Sequence, residues 1–199
     1  AGSAKAYANY GLLLCSGLGD LETGYQFGQL ALKLLEKLDA KAIYARTSFL
    51  VNLCIRHWKE PLRHTLKSLQ EAYTIGLETG DLTHASLAAE KYCYHAYFAG
   101  HELIQLAQEM KIYAEKMVQL KQNVALCTHE IHWQSVLNLI GEAQNPCCLI
   151  GGACNETIVL PIYLKGNTRT ALYYLYFNKL LLCYLFSNYS QAVDNAELA

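Results

Sequence analysis

Apolar residues recur every three or four positions along most of this chain. Over 21–38, Leu21, Tyr25, Gly28, Ala31, Leu32, Leu35 and Leu38 share one helical face. Over 101–120, Leu103, Leu106, Met110, Tyr113, Met117 and Leu120 do the same. Such spacing marks amphipathic helices that bury one stripe. No stretch sustains a two-residue alternation rich in β-branched residues, so no sheet is expected. The pattern predicts helices over 4–16, 21–38, 41–58, 61–78, 82–98, 101–120, 123–140, 155–165, 168–186 and 189–199. Short connections make consecutive helices antiparallel neighbours.

Turn chemistry punctuates the helices and hints at a repeat. Segments 17–38 and 79–100 each carry Gly-Asp-Leu, at Gly19 and Gly80. Glycine closes one helix in the left-handed conformation, and aspartate caps the next. Over 7–38, Gly11, Gly24, Gly28 and Ala31 supply the small residues that a close helix crossing needs. The last pair fits a tetratricopeptide pattern best. There Leu175, Tyr176, Leu180 and Cys183 form a ridge, Asn188 and Tyr189 make the turn, and Ala192, Ala196 and Ala199 recur at helical spacing. The remaining pairs are degenerate and longer than the usual unit. The segment 141–154, GEAQNPCCLIGGAC, breaks the rhythm as an irregular insert of the kind that is often functional or mobile.

Composition narrows the function classes. Of 199 residues, 53% are hydrophobic and 17% charged, which excludes a disordered chain. Sixteen basic residues face seventeen acidic ones, so the concentrated basic face of a nucleic-acid binder is not expected. The greasiest stretch, 171–186, is interrupted by Asn178 and Lys179 and falls short of the roughly 20 apolar residues of a membrane span. Of eight cysteines, Cys15, Cys54, Cys93, Cys127 and Cys183 sit singly within helical patterns, where a thiol packs as a small hydrophobe. With no secretory pattern at the start, scattered free thiols point to a reducing cytoplasm. A first residue other than methionine and an uncapped last helix suggest a piece of a longer protein.

Segments 10–38, 57–81 and 178–199, together with the insert NPCCLIGGACNETIVLP at 145–161, resemble the helical region of very large bacterial multi-sensor kinases. The resemblance runs along nearly the whole chain in the same order. It implies a setting in which a serine/threonine-kinase-like domain and an AAA-type ATPase module come before this region, and GAF and histidine-kinase domains after it. The family's catalytic motifs do not fall here: no phosphate loop, H-R-D or D-F-G set is present. Two features depart from the family's pattern. Cys147, Cys148 and Cys154 make the insert unusually rich in thiols, and Thr168–Arg169 opens a helix where an acidic cap is more usual.

Several residue groups carry candidate chemistry. His129-Glu130-Ile131-His132 imitates a zinc-protease helix, but its histidines are three apart where that chemistry needs four. The plain reading is polar helix residues beside Trp133. Cys147, Cys148 and Cys154 could respond to oxidation or hold a metal, although no C-x-x-C pair is present. The plain reading has them tucked under neighbouring helices. Gly17-Leu18-Gly19 and Gly151-Gly152 follow no strand and read as turns. Aromatic rings gather at Tyr92, Tyr94, Tyr97 and Phe98, and at Tyr173, Tyr174, Tyr176 and Phe177. Most of these rings are expected in the core, and the remainder would line a partner-binding groove. Arg56, Lys59, Arg63, His64 and Lys67 make a basic patch, read first as a solvated helix face. The two N-x-[ST] matches at Asn155 and Asn188 are chance matches in a cytosolic chain.

The sequence thus predicts an all-α fold of antiparallel helix pairs, stacked as a tetratricopeptide-like right-handed superhelical array or a compact bundle. It forms one helical-repeat domain over 1–199 with the insert at 141–154. The expected role is non-catalytic: docking or relaying between the ATPase and sensor modules of a signal-transduction kinase. The candidate interaction residues are Tyr92, Tyr94, Tyr97, Phe98, Tyr173 and Tyr176. The alternative is a helical sensor that binds a small ligand in an aromatic-lined pocket. No cofactor, metal, nucleic acid or membrane is expected. Partners would be other domains of the same polypeptide or a separate protein, and exposed ends of the array could pair two copies as a homodimer.

Overall fold

In the computed structural model, which describes residues 2–199, those residues form ten α-helices and no strand. No helix among them is long and apolar enough to cross a membrane. The helices divide into two compact units, Ala1–Gly100 and His101–Ala199. The first unit holds α1 (Gly2–Leu12), α2 (Leu21–Lys37), α3 (Lys41–Cys54), α4 (Leu66–Thr79) and α5 (Leu82–Phe98). The second holds α6 (Leu103–Gln119), α7 (Asn123–Leu139), α8 (Glu156–Lys165), α9 (Arg169–Leu185) and α10 (Tyr189–Leu198).

The Gly-Asp-Leu punctuation works as the sequence predicts. Gly19 and Gly80 adopt φ of 72° and 78°, a conformation that glycine reaches without strain. Asp20 then accepts the Thr23 amide at 3.0 Å, and Asp81 accepts that of His84 at 3.4 Å. Each cap satisfies an amide that the first helical turn leaves without an internal partner. Four other turns use Asp39, Lys121, Asn167 and Ser187 at positive φ without glycine. Thr168 precedes α9 without any side-chain cap.

Small residues bring α1 and α2 together, as their spacing predicts. A Cβ added at Gly11 would lie 2.8 Å from the Gly24 carbonyl oxygen, and one at Gly24 would lie 2.4 Å from the Cys15 Sγ. A Cβ at Gly28 would meet Ile55 at 2.9 Å. Ala8, Ala31, Val51 and Ile55 complete this core. The same device joins α4 to α5, where a Cβ on Gly76 would lie 2.8 Å from that of Ala85. Gly24→Ala should therefore destabilise the protein by ~1–3 kcal/mol through overpacking, after a gain of roughly 1 kcal/mol from helix propensity. Urea denaturation checks this. A midpoint equal to or above that of the parent would show that the helices move apart freely.

Three local expectations are corrected. α1 does not end as a plain helix near residue 16 but widens into a π turn over Leu13–Leu18. The helix expected over 41–58 stops at Cys54, and a 3₁₀ turn follows at Arg56–Trp58. The helix expected over 61–78 begins as a 3₁₀ turn, Leu62–Thr65, just after Pro61. The cause is Ile55. It is fully buried against Gly11 and Gly28, with φ −122° and ψ −55° ending the α-helical run.

In the second unit α6 pairs with α7, and α9 pairs with α10. α7 also packs on α9, with Ile131, Leu149, Tyr163, Leu175 and Leu182 in their shared core. α8 contributes only Tyr163 among its buried residues and leaves Ile158 and Ile162 in solvent. In α10 the small seat against α9 is Ala192 followed by Asn195, whereas Ala196 is exposed. Asn195 holds its place by donating to the Gln191 carbonyl at 2.6 Å.

Candidate functional site

Two amides on α7 hold the insert. Gln134 is fully buried, and Asn138 is 1% exposed. Gln134 Oε1 accepts the backbone amides of Ala153 and Cys154 at 3.0 and 3.1 Å. Asn138 Nδ2 donates to the carbonyls of Pro146 and Cys148 at 3.1 and 2.7 Å. These partners fix both amide orientations, because a backbone N–H needs an oxygen and a carbonyl needs an N–H. Gln134 Nε2 is then free to donate to Asn138 Oδ1 at 2.9 Å.

Further ties close the insert on itself. Ile150 and Asn155 form an antiparallel bridge. Glu156 accepts the Leu149 amide through Oε2 at 3.0 Å and pairs with Lys179 of α9 through Oε1 at 2.9 Å. Gly151 packs so closely on Gln134 that a Cβ there would lie 2.4 Å from Nε2. Sequence reasoning marked the insert but missed Gln134 and Asn138. Two long amide side chains within an otherwise buried helical face were the available signal.

The structure separates the three insert thiols. Cys147 and Cys154 are buried, and Cys148 is half-buried on the wall of a cavity of about 520 Å³. Glu142, Gln144, Asn145, Ile150 and Gly151 line the rest of that cavity. Cys154 belongs to the core around Tyr163, and burial pushes its thiol up to about 12. Cys147 instead packs with Cys183 of α9 and Ala192 of α10. Burial raises the Cys148 thiol too, and the Glu156 carboxylate raises it further. All eight cysteines are free, and no three His, Cys, Asp or Glu side chains among the described residues group as metal ligands would.

The two aromatic groups differ in exposure. On α5, Tyr92 is buried, Tyr94 and Tyr97 are half-buried, and Phe98 is 43% exposed. Phe98 meets Tyr94 and Tyr97 edge to face, with centroids at 4.9 and 4.8 Å. The Lys91 ammonium lies 5.2 Å from the Tyr94 centroid. On α9, Tyr173 is 44% exposed and stacks on Phe177 at 5.8 Å, while Tyr176 is half-buried. A cavity of about 450 Å³ lies elsewhere in the second unit, lined by Ile104, Lys111, Trp133, Leu137 and Ile140 among others.

The histidines of the 129–132 stretch are core residues, not surface ones. His129 is fully buried, and its Nε2 donates to the Met110 carbonyl at 2.8 Å. His132 is 5% exposed, and its Nδ1 accepts from Asn178 Nδ2 at 3.1 Å. Each is engaged within the helix packing.

The basic patch is likewise only partly a solvated face. Arg63, His64 and Lys67 are exposed, but Arg56 is drawn inward to Glu60, with Nη2 to Oε2 at 2.6 Å. Tyr25 and Gln29 of α2 donate to Glu60 Oε1 at 2.8 and 3.0 Å. Arg56 also reaches Asn52 and Ser68. The Arg56 guanidinium foremost, with the Tyr25 hydroxyl, holds the Glu60 carboxyl down at about 2. Lys59 pairs with Glu22, and Lys67 with Glu71, so acids meet most of the patch's charge.

Comparisons with protein-family models, curated proteins and solved structures yield no match to this chain.

Proposed function

We propose that the chain is a non-catalytic helical-repeat interaction segment, tetratricopeptide-like, which docks or relays between ATPase and sensor modules of a bacterial multi-sensor kinase. The observation that carries this reading is the aromatic ledge of Tyr94, Tyr97 and Phe98 on α5. Rings that pack edge to face on one another while one stays in solvent suit contact with a second protein, because they bury much area at little entropic cost. The small-residue crossings at Gly24 and Gly76 suit stacked helix pairs. The segment resemblance supplies the choice of partner.

A pull-down against the ATPase and GAF modules of such a kinase, at two salt concentrations, tests the reading. One module should be retained, and Tyr94→Ala with Phe98→Ala should weaken retention about tenfold, the scale of a single interface hot spot. Retention should vary little with salt, since the ledge is apolar. Binding to neither module would overturn the docking role. Weight would then pass to the small-ligand sensor, for which the Trp133 cavity is better placed than the tyrosines.

A further inference from the structure

Cys147 and Cys183 are 36 positions apart, yet the fold places them together with Ala192 in one small buried cluster. The Cys183 Sγ lies 4.0 Å from the Cys147 carbonyl oxygen. The same sulfur seats α10. It lies 3.8 Å from Gln191 Oε1, and Asn195 Nδ2 points at it from 3.8 Å. One thiol therefore touches both the insert and the last helix.

We propose that Cys147 and Cys183 form an oxidative modification site, in which hydrogen peroxide joins them as a disulfide that fastens the insert to α9 and releases α10. The Cys147 sulfur attacks a peroxide oxygen. The O–O bond breaks, an S–O bond forms, and the leaving oxygen departs as water after taking the thiol proton. The Cys183 sulfur then attacks the Cys147 sulfur. The S–S bond forms, the S–O bond breaks, and the hydroxyl leaves with the Cys183 proton as a second water. Two thiols are oxidised and one peroxide is reduced.

The order of attack follows from exposure. Cys183 is fully buried, and burial together with the neighbouring Cys147 thiol pushes it up to about 11. It is thus the poorer first nucleophile and the natural resolving thiol. Cys147 is 6% exposed. Its chain neighbour Cys148, not Cys147 itself, borders the cavity of about 520 Å³. Forming the bond draws the Cys183 sulfur toward the insert and away from Gln191 and Asn195. α10 then loses its two contacts to the Cys183 sulfur, whereas the insert gains a covalent anchor.

Treating the folded chain with hydrogen peroxide, alkylating the remaining thiols and mapping non-reduced peptides tests the site. A peptide linking 147 to 183 should appear, with loss of two thiols per chain. Hydrogen exchange should slow over 144–150 and quicken over 189–198, and a thiol reductant should reverse both. Cys147→Ala and Cys183→Ala should each abolish the linked peptide, and Cys148→Ala should retain it. Parent protein that yields only over-oxidised Cys148, links between chains, or a link through another cysteine would overturn the proposal. So would a 147–183 link that leaves exchange over 189–198 unchanged, because the release of α10 would then be absent.

Discussion

Gln134→Leu should release the insert from α7 and lower stability by ~2–5 kcal/mol. Leucine fills a similar volume but offers no polar atom. The Ala153 and Cys154 amides then lose their shared acceptor, and Asn138 Oδ1 loses its donor. Each buried group left without a partner costs about 1–3 kcal/mol, and partial opening of the insert toward water limits the sum. The insert should therefore show faster hydrogen exchange over 144–155 before any global unfolding. Asn138→Leu should act similarly, by stranding the Pro146 and Cys148 carbonyls. Because the two side chains share a hydrogen bond, the double variant should lose less than the two single losses added together. Strictly additive losses in urea denaturation would show that the amides act independently, contrary to the geometry.

This pair of residues also shows where sequence reading stops. Helix positions, the Gly-Asp-Leu caps and the small seats at Gly11, Gly24 and Gly28 were legible, because each depends on neighbours within a turn or on helical spacing. Gln134 and Asn138 act on backbone groups 8 to 20 positions further on. No local pattern encodes which carbonyls will face them. The insert thus read as a loop of unknown order, and its thiols read as a group of three. The fold instead sends Cys147 to Cys183 and Cys154 to the Tyr163 core. The break after Cys54 was hidden for the same reason. It arises from Ile55 packing on glycines 27 and 44 positions earlier, while its own neighbours read as continuous helix. Asn195 replaced Ala196 as the buried seat in α10 because an asparagine bonded to its own helix can be buried at little cost. The candidate site was legible as rings and not as a surface. The helical pattern could not say that Phe98 and Tyr173 stay in solvent while Tyr92 does not.

Acid should destabilise both units well above the range where carboxylates titrate. His95, in the first unit, is 3% exposed, and its Nδ1 meets the Thr65 hydroxyl at 2.7 Å. Thr65 gives its only proton to the Leu62 carbonyl, so the imidazole Nδ1–H donates to the Thr65 hydroxyl oxygen. Burial first, then the Lys91 charge and His57, pull His95 down to about 4. Burial does the same to His129 in the second unit, again to about 4, despite its bond to the Met110 carbonyl. In the unfolded chain both rings take a proton near pH 6.5. Between that pH and about 4 the unfolded state binds more protons than the folded one, so stability falls as pH falls. The gap corresponds to about 3 kcal/mol for each ring by pH 4, with little further loss from the histidines below that. Glu60 runs later and separately: its folded value of about 2 makes its contribution present above the ordinary carboxylate range and lost only as pH drops from there toward 2. Urea midpoints taken from pH 7.5 to 4 should therefore decline most steeply between 6.5 and 4.5. The chain has two tryptophans, one in each unit, so Trp58→Phe leaves Trp133 to report the second unit by fluorescence. In that background His129→Gln should flatten the decline, whatever it does to stability at neutral pH. His95→Gln should flatten it only in the converse background, Trp133→Phe. A decline that keeps its slope in both variants would place the acid sensitivity in groups other than these two buried rings.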